Sequence, residues 1–431
     1  MRSLPGKSEM SAPSSPASPA EDALLSVEQA RDMLRQLPAP RLESRLVPLH
    51  EALQRVLGAD VVAPFDVPAH DNAAMDGYAL RGADLVEAAP ASLRVVGRAL
   101  AGHAFAGELP ARACVRIMTG AVLPAGCDTV VPQELCRETE GQLHIPPGAV
   151  RAGDHVRRRG EDLCAGRAAL QQGRVLRAAD LGLAASLGIG ELPVRRRLRV
   201  AFLSSGDELR SIGQPLDAGC IYDSNRHTLW AMLARLGCEA LDLGLVPDDP
   251  RLLEAALRRG CEQADVVISS GGLGVGDADH LGRTLARLGE VAFRQVALRP
   301  GRPLACGLLR CEAGDTVLLG LPGNPVAVMV TFYVLVRELL LRLMGAAPAE
   351  PLLLRAVAAQ ALRKRPGRTE YQRATLRRLP DGRWEAASTG NQGSGVLHSM
   401  SQADGLLVLE HDRGNVAAGE EVDFLPFEGL V

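Results

Sequence analysis

Three polar, glycine-rich segments, each placed after an apolar run, are where this chain could do chemistry. They are Ser204-Ser205-Gly206-Asp207-Glu208, Ser269-Ser270-Gly271-Gly272-Leu273-Gly274-Val275-Gly276-Asp277-Ala278-Asp279 and Gly320-Leu321-Pro322-Gly323-Asn324-Pro325. Glycine lets a backbone approach a ligand closely and turn its amide N–H groups inward, so the longest segment reads as a cradle for phosphate or another oxyanion. An ordinary structural turn is the competing reading. The segment is neither a dinucleotide fingerprint nor a Walker loop, because no Gly-Lys-Ser or Gly-Lys-Thr follows. Glu208, Asp248 and Asp279 fall in loops expected at the same sheet end. Carboxylates facing a phosphate cradle repel one another and the ligand unless a divalent cation neutralises them, and Mg²⁺ is the hard ion suited to oxygen donors. Helix capping or simple solvation is the alternative for Glu208 and Asp248.

Cations gather near these candidates. Arg157, Arg158 and Arg159 precede Gly160-Glu161-Asp162, and Arg299 and Arg302 flank Pro300-Gly301. Guanidinium forks match phosphate and tetrahedral oxyanions, although a run of three arginines is also a common solvated face. Asp71 to Ala79 is a further polar patch in which Asp76-Gly77 could be no more than a turn. The nine histidines show no His-Glu-x-x-His helix, and no Gly-x-Ser-x-Gly elbow is present, which lowers zinc hydrolysis and serine acyl transfer.

The elements that must position these groups can be read from periodicity. From Leu198 onward, the runs 198–205, 239–246, 265–270 and 316–321 alternate with helices near 227–236, after Pro250 and from Pro325 to about Met344, with Asn324 as the last helix's cap. Strand–helix alternation implies a doubly wound, mostly parallel sheet, whose ligands bind beyond the carboxyl ends of the strands. Residues 60–175 are short Val/Ala/Ile pieces cut by Gly and Pro, which predicts β structure, and alternation returns after residue 350 in a compact C-terminal β domain. Leu25 to about Leu57 reads as helix in two pieces broken near Pro38 and Pro40. Residues 1–20, rich in Ser, Pro and Ala, read as a disordered tail without a signal peptide's apolar stretch.

At 431 residues the chain suggests several domains, and 48 basic against 51 acidic side chains give no global argument for nucleic acid or an anionic membrane. The apolar run Val326 to Val336 is too short to span a bilayer and reads as a buried helix. Nine cysteines without Cys-x-x-Cys spacing favour reduced core thiols in the cytosol over a disulfide framework or structural zinc.

Taken together, the segments DNAAMDGYA, RIMTGAVLPAGCDTVV, RRRGED, SSGDEL, IYDSN, SSGGLGVGDAD, RPGRP, LPGNP and PGRTEYQR, colinear over about residues 22–430, resemble the molybdopterin molybdenumtransferase family, the bacterial MoeA-like proteins related to the gephyrin C-terminal enzyme domain. The resemblance implies Mg²⁺-assisted insertion of molybdate into adenylylated molybdopterin with release of AMP, by a cytoplasmic homodimer. It further implies contacts with a molybdopterin adenylyltransferase and with molybdoenzyme-specific chaperones, and no nucleic-acid or membrane partner. The implied fold is an α/β molybdopterin-binding domain (197–347), an inserted β-rich domain (63–162), a mixed helical first domain (22–62 plus 163–196) and a C-terminal β barrel (348–431), after a tail at 1–21.

Carried over residue by residue, the family's functional positions fall here at Asp76, Thr119, Asp162, Glu208, Asp248 and Asp279, with Glu208, Asp248 and Asp279 as the metal set. Ser269, Gly271, Gly272 and Gly276 would hold the pterin phosphate side; Arg373 and Ser394, helped by Arg299, Pro322 and Pro325, would hold molybdate. The sequence departs from the family pattern where Gln295 and Arg299 stand at positions commonly lysine, and where Leu273-Gly274 replaces Val-Ser. Two other functions compete: a molybdopterin-binding carrier or scaffold without catalysis, and the preceding adenylylation of molybdopterin.

Overall fold

The computed structural model describes residues 24–85, 89–272, 287–312 and 314–429. By packing, the chain forms two units, one of residues 45–53 and 57–194, the other of residues 54–56 with everything before 45 and after 194.

The smaller unit is built on a six-stranded sheet of β1 Gly77–Leu80, β2 Ala91–Ala99, β3 Ala113–Ile117, β4 Thr129–Pro132, β5 Arg137–Thr139 and β6 Gln142–Ile145, in the order β4-β1-β3-β2-β6-β5. Side chains alternate between its faces, so Ala79, Val115, Ile117 and Val130 fill one core while Tyr78, Leu80, Cys114 and Val131 fill the other. In the same unit, Val47, Leu57 and Val61 share a core with Leu170, Leu176, Ala184, Leu192 and Val194. That core includes helix α2, Ala178–Ser186. The second helical piece expected before Leu57 is instead the strand Ser44–Pro48, paired with Glu191–Arg195, and a four-residue helix Leu49–Ala52. Pairing across about 150 residues decides this segment over its local helical pattern.

The larger unit carries the alternation read from sequence. Strands β7 Arg199–Ser205, β8 Glu239–Val246, β9 Val266–Ser270, β10 Gly289–Gln295, β12 Pro303–Cys311 and β13 Gly314–Leu321 form one sheet in the order β8-β7-β9-β13-β12-β10. The first four in that order are parallel and the last two antiparallel. Helix α4, Pro250–Gln263, covers one face, with Leu253, Leu257 and Cys261 against Ala201, Leu203, Val267 and Leu318. Helix α3, Asn225–Arg235, packs on β7 and β8 and touches helix α5, Pro325–Thr331. The last helix continues through a π turn, Phe332–Val336, into α6, Arg337–Leu343. Its apolar run is buried as expected, and among the described residues no helix is long and apolar enough to cross a membrane. Asn324 holds the cap position and Pro325 the first turn, but the Asn324 side chain makes no capping bond. The N-terminal helix α1, Val27–Arg35, capped by the reciprocal Ser26–Gln29 box, lies on α6 in this unit, with Arg31 Nε donating to the Val334 carbonyl at 3.2 Å.

Cys261 and Cys311 depart from the expectation of reduced core thiols, while the other cysteines show no disulfide framework. The end of α4 brings the pair to a Cα–Cα separation of 6.3 Å across 50 residues of sequence, and the two are joined as a disulfide. Spacing along the chain could not show this, because the helix and strand that carry them meet only in the fold. The other seven are free, and burial pushes the Cys114 and Cys238 thiols up to about 12.

The C-terminal sheet contains β14 Leu354–Ala358, β15 Thr369–Arg378, β16 Trp384–Ser388, β17 Gly405–Leu409 and β18 Glu421–Pro426. The order β15-β16-β14-β18-β17 closes through β17–β15 into a five-stranded barrel around Ala374, Leu407, Leu409, Val422 and Phe424. A short strand β11, Leu298–Arg299, supplied from between β10 and β12, joins it alongside β15. Fold class therefore agrees with the reading from sequence: a doubly wound, mostly parallel domain, a β-rich domain, a mixed helical part and a C-terminal barrel.

Candidate functional site

The described parts of the three strand-end segments, 204–208, 269–272 and 320–325, converge at the carboxyl edge of the parallel sheet. Gly271, at φ +89°, lies so close to the Ser205 carbonyl oxygen that a Cβ would collide with it, and a Cβ added at Gly323 would reach van der Waals contact with the Gly271 Cα. Its N–H donates to the Leu321 carbonyl at 3.2 Å. Gly272 is also left-handed, at φ +71°. Asn225, nearly buried at the start of α3, ties the loops together by donating from Nδ2 to Ser270 Oγ (2.8 Å) and the Gly323 carbonyl (2.6 Å). Beneath it, Ser204 Oγ donates to buried Asp223, which also pairs with Arg226 at 3.2 Å. Asn225 Oδ1 and Ser269 Oγ are buried without a hydrogen-bond partner among the described residues. Polar atoms left orphaned at a strand-end edge are the mark of a site shaped for an incoming polar ligand.

Two of the predicted acids flank this edge. Asp248 Oδ1 accepts from Ser205 Oγ at 2.6 Å, and Asp248 N–H donates to Asp207 Oδ1 at 3.0 Å. The exposed Glu208 folds its carboxylate back over Gly206. Asp279 and Gly276, with Leu273 and Gly274, lie outside the described residues. Among the described residues no group of three metal-ligating side chains is assembled.

Pro322 is buried and its carbonyl accepts from Ser270 Oγ at 3.4 Å. Past it, Val326 N–H at the start of α5 donates to the Ser394 carbonyl at 3.1 Å, so Pro325 and Ser394 meet. Arg373, expected to hold molybdate, is anchored within the protein. Its side chain is fully buried, with Nε donating to Ser399 Oγ (3.0 Å), Nη1 to the Gln392 carbonyl (3.2 Å) and Nη2 to the carbonyls of Asn391 and Gly393 (3.0 Å each). Burial without a carboxylate partner lowers its pKa. The guanidinium holds the 391–394 loop, and so holds Ser394, rather than standing open to solvent. Arg373 also borders a cleft of about 400 Å³ with Arg299, Gln360, Arg363, Glu370 and Gln392.

In the smaller unit, Asp76 and Thr119 do come together. Asp76 Oδ1 accepts from both the N–H and the hydroxyl of Thr119, each at 2.7 Å, and these bonds, with Arg116 nearby, hold its carboxyl below the ordinary 3.8. Asp162 is exposed, and its side chain has no partner among the described residues. The arginine run is structural in two of its three members: Arg158 pairs with Asp71 at 2.9 Å and Arg159 with Asp66 at 2.6 Å. Asn225, Glu370 and Gln372 escaped sequence reasoning, although each lies inside a motif quoted above.

Three family models match in order: the MoeA N-terminal region (domains I and II) over residues 25–188, a probable molybdopterin-binding domain over 201–342 and the MoeA C-terminal region (domain IV) over 355–427. The chain is 41% identical to the molybdopterin molybdenumtransferase of Haemophilus influenzae, over 95% of its own length and all of the relative's. This chain belongs to the molybdopterin molybdenumtransferase family. A second member, from Nostoc, is 36% identical over 89% of each chain. Among solved structures, a molybdopterin biosynthesis MoeA protein of Pyrococcus horikoshii aligns with a TM-score of 0.79 at 26% identity, covering 94% of this chain and 100% of that one. Family membership matches the resemblance drawn from the nine motifs, and the strand-end cradle lies wholly within the matched molybdopterin-binding region.

Proposed function

We propose that this chain is a molybdopterin molybdenumtransferase that inserts molybdate into adenylylated molybdopterin and releases AMP, the last step in assembling the molybdenum cofactor. The observation that carries the reading is the strand-end cradle, in a chain that matches the family's three regions in order between residues 25 and 427. Gly271 and Gly272 offer close backbone approach, and Ser269 and Asn225 offer unspent polar atoms for the pterin and its phosphate. Water or a molybdate oxygen attacks phosphorus in the phosphoanhydride that joins AMP to the pterin phosphate, the bridging P–O bond breaks and AMP leaves; the two dithiolene sulfurs then bond molybdenum as one molybdate oxygen departs as water with the two thiol protons. Arg299 and the Ser394 loop, braced by Arg373, Pro322 and Pro325, hold the molybdate oxyanion. Asp76, with Thr119, and Asp162 are proposed as further catalytic groups.

The chemistry of the donor set suits Mg²⁺. Glu208 and Asp248 offer carboxylate oxygens on neighbouring loops at the cradle's edge, and with Asp279, which lies outside the described residues, they would hold the ion. Bound there, Mg²⁺ would draw charge from the phosphoryl oxygens. The division into four domains, a homodimer in the cytoplasm, and contacts with an adenylyltransferase and molybdoenzyme chaperones are proposed with it. In that division α1 belongs to the first domain, 22–62 plus 163–196, although it packs on the larger unit.

The test is molybdate-dependent AMP release from adenylylated molybdopterin with purified protein, with and without Mg²⁺, coupled to detection of assembled cofactor. Release with cofactor, lost on chelation, supports the reading. Tight pterin binding without AMP release selects a carrier, and ATP turnover with molybdopterin in the absence of molybdate selects the adenylyltransferase.

A further inference from the structure

The cleft beside the barrel contains a group that an oxyanion site should avoid. Glu370, with its side chain 4% exposed, sits among Arg299, Arg363 and Arg373 at the edge of the same cavity. A carboxylate there repels any anion that enters and subtracts from the positive field that would attract it. Its hydrogen bonds supply the reason for its presence. Oε1 accepts from Arg299 Nη1 at 3.0 Å, and Oε2 accepts from Gln372 Nε2 at 3.2 Å. The backbone register sets Arg299 directly beside Glu370, Leu298 beside Thr369, and Thr369 N–H on the Ala297 carbonyl at 2.8 Å. Nearby, Lys364 donates to the carbonyls of His411 and Arg413, at 3.0 and 2.8 Å, so its charge faces Glu370 but its hydrogen bonds go elsewhere, and the Arg299 fork keeps the carboxylate as a hydrogen-bond anchor.

Arg299 is otherwise a half-exposed side chain, 53% open to solvent, and would sample many rotamers. With Nη1 anchored, its Nε and Nη2 have no partner among the described residues. A guanidinium pinned by one arm still presents a planar donor edge of fixed direction; an ammonium can donate to more than one acceptor but offers no such edge.

We infer that Glu370 is a positioning residue that locks the Arg299 fork toward the cleft, so that a fixed donor edge meets a tetrahedral oxyanion. This rests on the reading of the cleft as the oxyanion site. It also makes a prediction opposite in sign to simple electrostatics. Replacing Glu370 by Gln removes a negative charge, which alone would tighten anion binding, yet it loosens the anchor, which weakens it.

The experiment measures molybdate alone binding to the purified full-length chain by calorimetry, with tungstate as a second probe. Wild type is expected to bind. Glu370→Gln is expected to weaken binding roughly tenfold, and Arg299→Lys to weaken it comparably although charge is kept. In the Arg299→Lys background, Glu370→Gln is expected to add little, because the group it acts through is gone. In turnover, Glu370→Gln is expected to raise the molybdate concentration for half-maximal AMP release about as much while leaving the maximal rate. Equal or tighter binding by Glu370→Gln overturns the inference, as does an equal loss in both backgrounds. If Glu370→Gln fails to fold, Arg299→Lys decides on an exposed residue: binding like wild type overturns the inference. Absence of molybdate binding by wild type overturns the oxyanion reading itself, an outcome distinct from the others.

Discussion

Asp76 shows what a pair of hydrogen bonds does to one carboxylate. Both bonds come from Thr119, and both favour the charged form, so the folded pKa falls below the ordinary 3.8. A depressed carboxylate contributes stability that is present above its unfolded pKa and is lost as pH falls through the folded value. The Thr119 amide resonance is therefore expected to stay fixed from neutral pH down to the ordinary carboxylate range and to move only below it. A titration midpoint above 3.8 would remove the contact from solution. Gly271 is a second test at this scale. Alanine there adds a Cβ against the Ser205 carbonyl in a left-handed backbone, so Gly271→Ala is expected to cost about 2 kcal/mol or more. Thermal melting reads the stability, and loss of pterin binding reads the site. A variant that melts and binds like wild type would show that the close approach is not required.

Elements explain which parts of the site were legible beforehand. The strand-end loops were, because each apolar run of five to eight residues stops abruptly at Ser or Gly, and a doubly wound sheet puts all such stops at one edge. The role of Arg373 was not. It lies in β15 with Glu370, Tyr371 and Gln372 also buried, and a charged side chain in a strand looks solvent-facing until the loop 389–394 folds over it. Pairing of Leu298–Arg299 with β15 and closure of the barrel join residues far apart in sequence, so no local pattern encodes them. The geometry makes Arg373 a brace for the loop. Arg373→Lys is expected to fail as a substitute, since one ammonium cannot replace a fork bonded to three carbonyls and a hydroxyl, at a cost of about 3 kcal/mol. Denaturant melts measure this, with limited proteolysis at 389–395 as the local readout. Wild-type stability with an intact loop would return Arg373 to a purely ligand-binding role.

At the scale of the molecule, the larger unit is two architectures with a shared seam. β11 belongs by sequence to the α/β sheet's connections and by hydrogen bonding to the barrel, so the barrel and the sheet are expected to unfold in one calorimetric transition. Two resolved transitions within this unit, followed by tryptophan fluorescence of Trp384 and Trp230, would contradict it. The seam also has a consequence for time rather than strength. A jaw whose upper and lower plates share a main-chain bond, Thr369 N–H to the Ala297 carbonyl, cannot swing wider without breaking it. On the proposed reading, oxyanion capture at the Arg299 cleft is expected to be a single encounter with a standing mouth. Its observed rate in stopped flow is expected to rise linearly with anion concentration, with none of the plateau that a gate opening first would impose.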